Sequence, residues 1–348
     1  MKLLNLIIFA AALLFGCSKP IEKFSQSDIP ACQNNKITNQ YIAHWKNSKP
    51  TLVYKKNISQ FIKEHFDQID LVEPNYYLVK QRSSAVKKIQ PSYSTQFFQE
   101  LIHANSAWQN GYYGQGIQVA IVDAGVDISH PLLRNHLATN ESELSNGINN
   151  IDDDHNGYVD DIYGWNFVSN QNSNNDETGH GTAIAGIIGG NSGGPSLALA
   201  PEVKILAVDF MTEADGTEFN AQQSIFYALS RHVQIINDSW TISCSVLLKN
   251  SFDEWSQQNV IFVNASGNMP IDVVLNDVTP ASFSTTNIIN VGSSDDLGNR
   301  SLFSGYGKTV SLFAPGELIP VIFSLSGFDQ SKSASGTSFS AAIVSGAA

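Results

Sequence analysis

Cysteine is scarce in this 348-residue chain: three residues, at 17, 32 and 244, which excludes a disulfide-stapled scaffold. Charge is sparse too, at 15% Asp, Glu, Lys and Arg, and it leans acidic, with 20 basic against 32 acidic side chains and a formal net charge of −12. That shortage of positive charge argues against a nucleic-acid backbone as partner. The apolar run Leu3 to Phe15 falls short of the roughly 20 residues that a membrane-spanning helix needs. What is plentiful is core material. The apolar fraction is 42%, with 19 Phe, 11 Tyr and 5 Trp, and this excludes a disordered, collagen-like or multi-span membrane protein. At roughly 150 residues per domain, the length suggests about two units.

The amino terminus has one basic residue, Lys2, ahead of Leu3 to Phe15, which is the pattern of a signal peptide over residues 1–16. It closes on Leu14-Phe15-Gly16-Cys17, which resembles a bacterial lipoprotein box and implies cleavage before Cys17 and lipid on its sulfur. Phe15 is bulkier than the small residue usual there, and an ordinary signal peptide is the alternative. Either reading exports the protein; the lipid would anchor it to a bacterial membrane, where several acyl chains hold and one is marginal. Cys32 and Cys244 fall in different regions and are expected to be unpaired.

Charge is divided between two regions. Residues 18–95 carry 12 Lys and Arg against 6 Asp and Glu, whereas residues 96–348 carry 7 against 26. Opposite signs on neighbouring regions suggest mutual attraction, the alternative being a solvated basic stretch. Residues 17–50 are polar and read as a tether. In 51–95, Thr51 to Tyr54 reads as a strand, Ile58, Phe61, Ile62 and Phe66 fall at helical spacing, Leu71 to Val79 reads as a turn into a strand, and the remainder is loop. So short a segment needs a partner surface for its core.

From Gly116 onward, short β-branched runs recur: Ile117 to Val122, Val203 to Val208, Val233 to Asn237, Val260 to Val263 and Ile288 to Val291. Helical patterns lie between several of them, notably 220–231 and 247–258. Alternation of this kind implies an α/β, doubly wound, mostly parallel sheet with helices on both faces, whose site lies at the carboxyl ends of the strands. At those boundaries stand Asp123, ending Val122-Asp123-Ala124-Gly125; His180, in Gly179-His180-Gly181-Thr182; and Ser338, in Ser335-Gly336-Thr337-Ser338. A carboxylate, an imidazole and a hydroxyl form the set that nucleophilic catalysis requires, since a serine hydroxyl is a weak nucleophile until an oriented base takes its proton. Singly, each is a weak signal, because an isolated Asp after a strand or Ser before a helix is more often a cap.

Together, and in the order Asp, His, Ser, these motifs resemble those of the subtilisin-like serine proteases, the subtilases, from about Phe97 to the last residue. Ala200-Pro201, Thr279-Pro280-Ala281 and Ala314-Pro315-Gly316 fall where that family has similar short motifs. The resemblance implies a secreted serine endopeptidase in which Asp123 orients His180, His180 is general base and then acid, and Ser338 attacks the scissile carbonyl. Asn268, in Ala265-Ser266-Gly267-Asn268, matches the family's oxyanion donor. Ser239, Trp240 and Thr241, with Ala265, Ser266 and Gly267, should flank an extended polypeptide substrate. No cofactor is implied for the chemistry, and a monomer is expected. The family also implies that the small basic segment is a prodomain, an α+β unit over 51–95 that assists folding and blocks the cleft until it is cut between Val79 and Thr95. The catalytic domain would occupy 96–348. Four positions depart from the family's habit: Ala124, Ala183, Thr241 where Gly is usual, and Ala342 where Pro is usual.

Asp123 and His180 are 57 positions apart, more than a compact subtilase needs. The excess holds Asp152-Asp153-Asp154-His155-Asn156-Gly157-Tyr158-Val159-Asp160-Asp161, whose first half resembles a Ca²⁺ loop. Tyr163 at the twelfth position excludes an EF-hand. Asp152, Asp154, Asn156 and Asp160 are the expected Ca²⁺ ligands, and a solvated acidic loop is the alternative. The chain stops ten residues past Ser338, inside an apolar run, which reads as a fragment of a longer protein. A second function class, an inactive surface lipoprotein on the same fold, stands beside the peptidase at this stage.

Overall fold

The computed structural model describes residues 36–46, 48–78, 84–88, 97–173, 176–190, 197–212, 216–243, 245–322 and 332–348. The signal segment 1–16, the lipidation residue Cys17, and Cys32 and Cys244 lie outside them.

The amino-terminal unit is a three-stranded antiparallel sheet in the order β2-β1-β3, built from β1 (Lys36–Trp45), β2 (Ser48–Tyr54) and β3 (Ile69–Tyr76). A single helix, α1 (Ile58–Glu64), closes one face, and its cap is Asn57, whose side chain accepts from the Gln60 N–H. Ala43, Val53 and Phe61 form the small core, with Trp45, Ile58 and Val72 packed on it. The sequence placed 36–50 in a tether; instead β1 is the central strand of this sheet. Its polar residues disguised it. Only Ile42 and Ala43 are fully buried, and the strand's place is set by ladders on both edges, which no side-chain pattern records.

The larger unit is a seven-stranded sheet in the order β13-β12-β10-β8-β5-β7-β6, with every pairing parallel. Its strands are β5 (Gln118–Asp123), β6 (Gly164–Asn166), β7 (Lys204–Asp209), β8 (Ile235–Asp238), β10 (Ile261–Ala265), β12 (Ile288–Ser294) and β13 (Leu312–Pro315). Helices α2 (Phe97–Leu101), α3 (Ala104–Gln109) and α4 (Glu141–Asn146) are short. Helices α5 (His180–Ile188) and α8 (Thr337–Ala347) cover one face, where Ile184, Ile187, Phe339 and Ile343 meet Val119, Ile121, Val263 and Val291. Helices α6 (Glu218–Ser230) and α7 (Val246–Trp255) cover the other, where Ala221, Ile225, Leu248 and Phe252 meet Val122, Val208, Ile236 and Phe262. Side chains alternate across each strand, so a sheet buried on both faces needs continuous apolar runs, which is how these strands read. The doubly wound architecture is therefore as expected from the sequence.

Two minor sheets complete the fold. β9 (Ile242–Ser243) pairs with β11 (Val278–Thr279), and β14 (Ile319–Pro320), β15 (Lys332–Ser335) and β4 (Ser84–Lys88) form an antiparallel trio. Residues 84–88, expected to be loop, are thus a strand, because β15 offers them an open edge. From β5 the chain runs to β6 and β7 on one side and to β8 on the other. That reversal opens a crevice at the carboxyl ends of β5 and β8.

Candidate active site

Asp123 is the last residue of β5 and is completely buried. Its Oδ1 accepts from the Ala124 N–H at 2.8 Å and from His180 Nδ1 at 2.7 Å. The carboxylate thereby fixes Nδ1 as the protonated ring nitrogen and leaves Nε2 as the basic one. His180 begins α5, and the helix is seated by Asp176, whose Oδ1 accepts from the N–H groups of Thr178 and Gly179 and whose Oδ2 accepts from the Thr182 N–H. The next residue must be glycine. A Cβ at Gly181 would stand 2.0 Å from the Gly125 carbonyl oxygen, so any side chain there would push the helix off the strand end.

Electrostatics of the imidazole are a contest. Burial disfavours the charged ring, the Asp123 charge and hydrogen bond favour it, Asp176 adds to them, and the net effect lifts the His180 pKa above its ordinary value. Asp123 is not the only carboxyl at these strand ends. Asp209 ends β7 in direct register with Asp123, and Asp238 ends β8. Burial first, with help from the Asp123 charge, pushes both to about 8, so both are neutral at pH 7. Each keeps one buried oxygen without a partner: Asp209 Oδ2 accepts from Asn166 Nδ2 and Asp238 Oδ1 from Trp240 Nε1, while the other oxygens have none. Sequence reasoning passed over these two, although each ends an apolar strand run as Asp123 does.

Ser338 lies in the first turn of α8, and the ring of Phe339 sits 5.8 Å from that of His180. The Ser338 hydroxyl donates to the Ser239 carbonyl at 3.1 Å, and Ser239 Oγ donates back to the Ser338 carbonyl at 3.2 Å. The hydroxyl thus points its hydrogen at the residue after β8 and not at His180; catalytic hydrogen bonds commonly tighten only with substrate bound. Asn268 follows β10. Its Oδ1 accepts from both the Thr337 N–H (2.8 Å) and the Thr337 hydroxyl (2.9 Å), which makes Nδ2 the donor end of the amide. A Cβ at Gly336, the helix cap, would lie 3.3 Å from that Nδ2, so the donor faces the start of α8. The Ser338 N–H, in the first turn, has no carbonyl of its own helix to bond and is a second donor.

The six residues expected to flank a substrate, Ser239, Trp240 and Thr241 with Ala265, Ser266 and Gly267, follow or end the neighbouring strands β8 and β10, and all are buried. Trp240 turns its ring into the core, 5.3 Å from Phe210, so only its main chain can meet a peptide.

The acidic loop is arranged differently from its spacing. Asp160 gives both oxygens to the N–H groups of Asn149 and Asn150, and Asp152 gives its own to Asn156 and Gly157. Among the described residues, the three carboxylates whose oxygens converge are Glu143, Asp154 and Asp161, within 4.8 Å of one another. Of the four expected ligands only Asp154 belongs to that group; Asn156 instead donates its amide to Asp154 and Asp161. Burial raises the pKa of Glu143 and of Asp161.

Known proteins resemble this chain in sequence and fold. Residues 114–348 match the Subtilase family. Thermitase of Thermoactinomyces vulgaris is 32% identical over 261 residues, 73% of this chain and 81% of that protein. Subtilisin-like protease 1 of Plasmodium berghei is 31% identical over 174 residues, 49% of this chain but only 28% of its own length. The crystal structure of a cold-adapted subtilisin-like serine proteinase superposes with a TM-score of 0.53 at 26% identity, covering 68% of this chain and 74% of that one.

Proposed function

The chain belongs to the subtilase family, and we propose that it is a serine-type endopeptidase acting through Asp123, His180 and Ser338. The observation that carries this reading is the 2.7 Å bond from His180 Nδ1 to a carboxylate that has no exposed surface. Neutral His180 takes the Ser338 proton as Oγ attacks the scissile carbonyl, Asp123 stabilises the imidazolium, and the same proton then goes to the leaving amine. Burial holds Asp209 and Asp238 toward their neutral forms, so they add little charge beside the Asp123–His180 pair at pH 7. Asn268 Nδ2 and the Ser338 N–H receive the oxyanion. Asn268→Ala is expected to lower kcat about 10²–10³-fold with KM little changed, because the donor acts only on charge that develops in the transition state. Steady-state peptide hydrolysis measures this; an unchanged kcat would remove Asn268 from the site.

The amino-terminal unit is proposed as the prodomain. Its last described residues meet the larger unit just before α6: the Leu78 N–H donates to the Gly216 carbonyl, Tyr77 bridges Thr217, and Leu78 packs on the core beside Met211. On the far side of residues 79–83, β4 pairs with β15, the strand that leads into Ser338. Strand addition on both sides of that stretch supports self-cleavage within it, a narrower window than the sequence defined. Export and lipid attachment at Cys17 are proposed from the sequence pattern alone, whereas a polypeptide substrate is supported by the family match and the resemblance to thermitase.

The Glu143, Asp154 and Asp161 group is all oxygen, two of its members are buried, and no described cation but Arg231 pairs with it, so the donor set suits Ca²⁺. We propose a structural ion there. At a hundredfold excess over Kd, Ca²⁺ is expected to add about 2.7 kcal/mol of stability, or roughly 5–10 °C in Tm, with the gain lost in Asp154→Asn. Calorimetry in Ca²⁺ against chelator tests it, and equal Tm values would refute the site.

A further inference from the structure

Strand β3 of the amino-terminal unit lies across the N-termini of α6 and α7. Asn75 Oδ1 accepts from the Phe219 N–H at 3.1 Å. Glu73 Oε1 accepts from the Leu247 N–H at 3.0 Å, and Oε2 from the Val246 N–H at 3.3 Å. These carboxylate and amide caps suit the positive ends of helices. The unusual element lies beneath them. Glu218, the first residue of α6, is completely buried, and its carboxyl meets that of Glu73 across the interface.

The two carboxyls share one hydroxyl. Ser245 Oγ is in hydrogen-bond contact with Glu73 Oε1 at 2.8 Å and with Glu218 Oε1, and it also accepts from the Leu248 N–H at 2.8 Å. A serine hydroxyl has one hydrogen to give. It can satisfy one carboxylate, so the other contact requires a hydrogen from the second carboxyl itself. Glu218 Oε2, moreover, is buried with no partner. No described cation supplies the balance: the ion pairs found among the described residues are His180–Asp123, Arg231–Asp161 and Lys249–Asp253, none of them here. Hydrogen counting alone therefore places one proton on the pair. Glu218 is its main holder, because its burial is complete and its amide donor is Gln222 Nε2 at 3.2 Å, whereas two helix N–H groups draw Glu73 back toward its charged form against the lift of its own burial.

We propose that docking of the amino-terminal unit takes up one proton at Glu218–Ser245–Glu73, so that the unit is held in mild acid and let go as the pH rises. This rests on the reading of that unit as a prodomain closing the cleft. The step is proton transfer only: solvent protonates the Glu218 carboxylate as β3 covers it, and the proton returns to solvent when β3 leaves. A carboxyl in water titrates near 4.5, and burial raises Glu218 well above that. Below 4.5 both carboxyls carry protons whether free or docked, since burial raises Glu73 as well as Glu218, and docking is indifferent to pH. Above it the free state has lost the proton while the docked state keeps it, so the docking constant falls about tenfold per pH unit until the docked carboxyl itself ionises. Other groups facing the pair do not interfere. Tyr76 on β3 is pushed up by burial and by both carboxyls and stays neutral, Gln222 and Ser245 are uncharged, Lys249 on α7 pairs with Asp253, and Lys49 on β2 lies over the Tyr158 ring.

The test uses the full chain carrying Ser338→Ala, which keeps the unit attached. Hydrogen exchange at the Phe219, Val246 and Leu247 amides, capped only by Asn75 and Glu73, reports opening of the interface once intrinsic rates are divided out. The expected result is an opening constant that rises about tenfold per pH unit above pH 5 and then levels. In Glu218→Gln, whose amide donates at every pH, the slope should be flat. Glu73→Gln, which leaves the α6–α7 face untouched if Glu218→Gln folds poorly, should make the slope level off at lower pH, because the Glu73 charge no longer adds to the burial of Glu218. Protected amides with no slope, with the opposite slope, or with an unchanged slope in both variants would overturn proton uptake while leaving docking intact. Amides exchanging freely at every pH would overturn docking itself.

Discussion

Replacing Ser338 by alanine is expected to lower kcat for peptide hydrolysis by about 10⁶-fold, the size of loss already measured for the nucleophile on this fold. The fold should survive. Ser338 is 7% exposed, and its Oγ makes one hydrogen bond, to the Ser239 carbonyl, which retains the reciprocal bond between Ser239 Oγ and the Ser338 carbonyl. Unchanged circular dichroism with abolished turnover is therefore the pattern to look for. Residual turnover near wild type would remove Ser338 from the mechanism, since the oxyanion donors and substrate binding alone account for only about 10³–10⁴-fold over water.

Asp123→Asn should cost about 10⁴-fold in kcat, because an amide in place of the carboxylate no longer selects the Nδ1–H tautomer of His180. The pH profile distinguishes this from simple damage. In the wild type, Asp123 and Asp176 lift the His180 pKa, and the base works only when neutral, so activity falls as the pH drops through that raised value. Removing the Asp123 charge lowers the pKa, and the acid limb of the surviving kcat/KM should move to lower pH. A limb that stays in place would mean that Asp123 does not set the protonation of His180. The buried Asp209 and Asp238 act in the same field. As they ionise near 8, negative charge accumulates at the sheet end and favours the imidazolium further.

The candidate site was legible because each of its residues sits in a local motif. Asp123, His180, Ser338 and Asn268 all follow strands or open helices, and glycine beside them marks close backbone approach, as Gly181 against Gly125 bears out. Strands buried on both faces announced themselves as apolar runs, whereas β1 did not, because its position comes from ladders to β2 and β3. The acidic loop misled for a conformational reason. His155 and Asp160 adopt left-handed backbone, with φ of 56° and 55°, and Asp160 gives both oxygens to backbone amides, so alternate residues do not present their oxygens to one point. The charge division also pointed only partway. It suggested attraction between the two units, yet no described ion pair joins them, and the contact turns on two carboxyls 145 positions apart. Nothing in the sequence brings Glu73 to Glu218; the fold does.

The central claim is that this triad works on the chain's own amino-terminal unit. Intact mass of the purified protein without residues 1–17, beside its Ser338→Ala counterpart, tests that claim most directly. The account predicts that the wild type alone loses a fragment ending within residues 79–83, while the Ser338→Ala chain keeps its full mass. Two full-length chains, or the same cut in both, would contradict it.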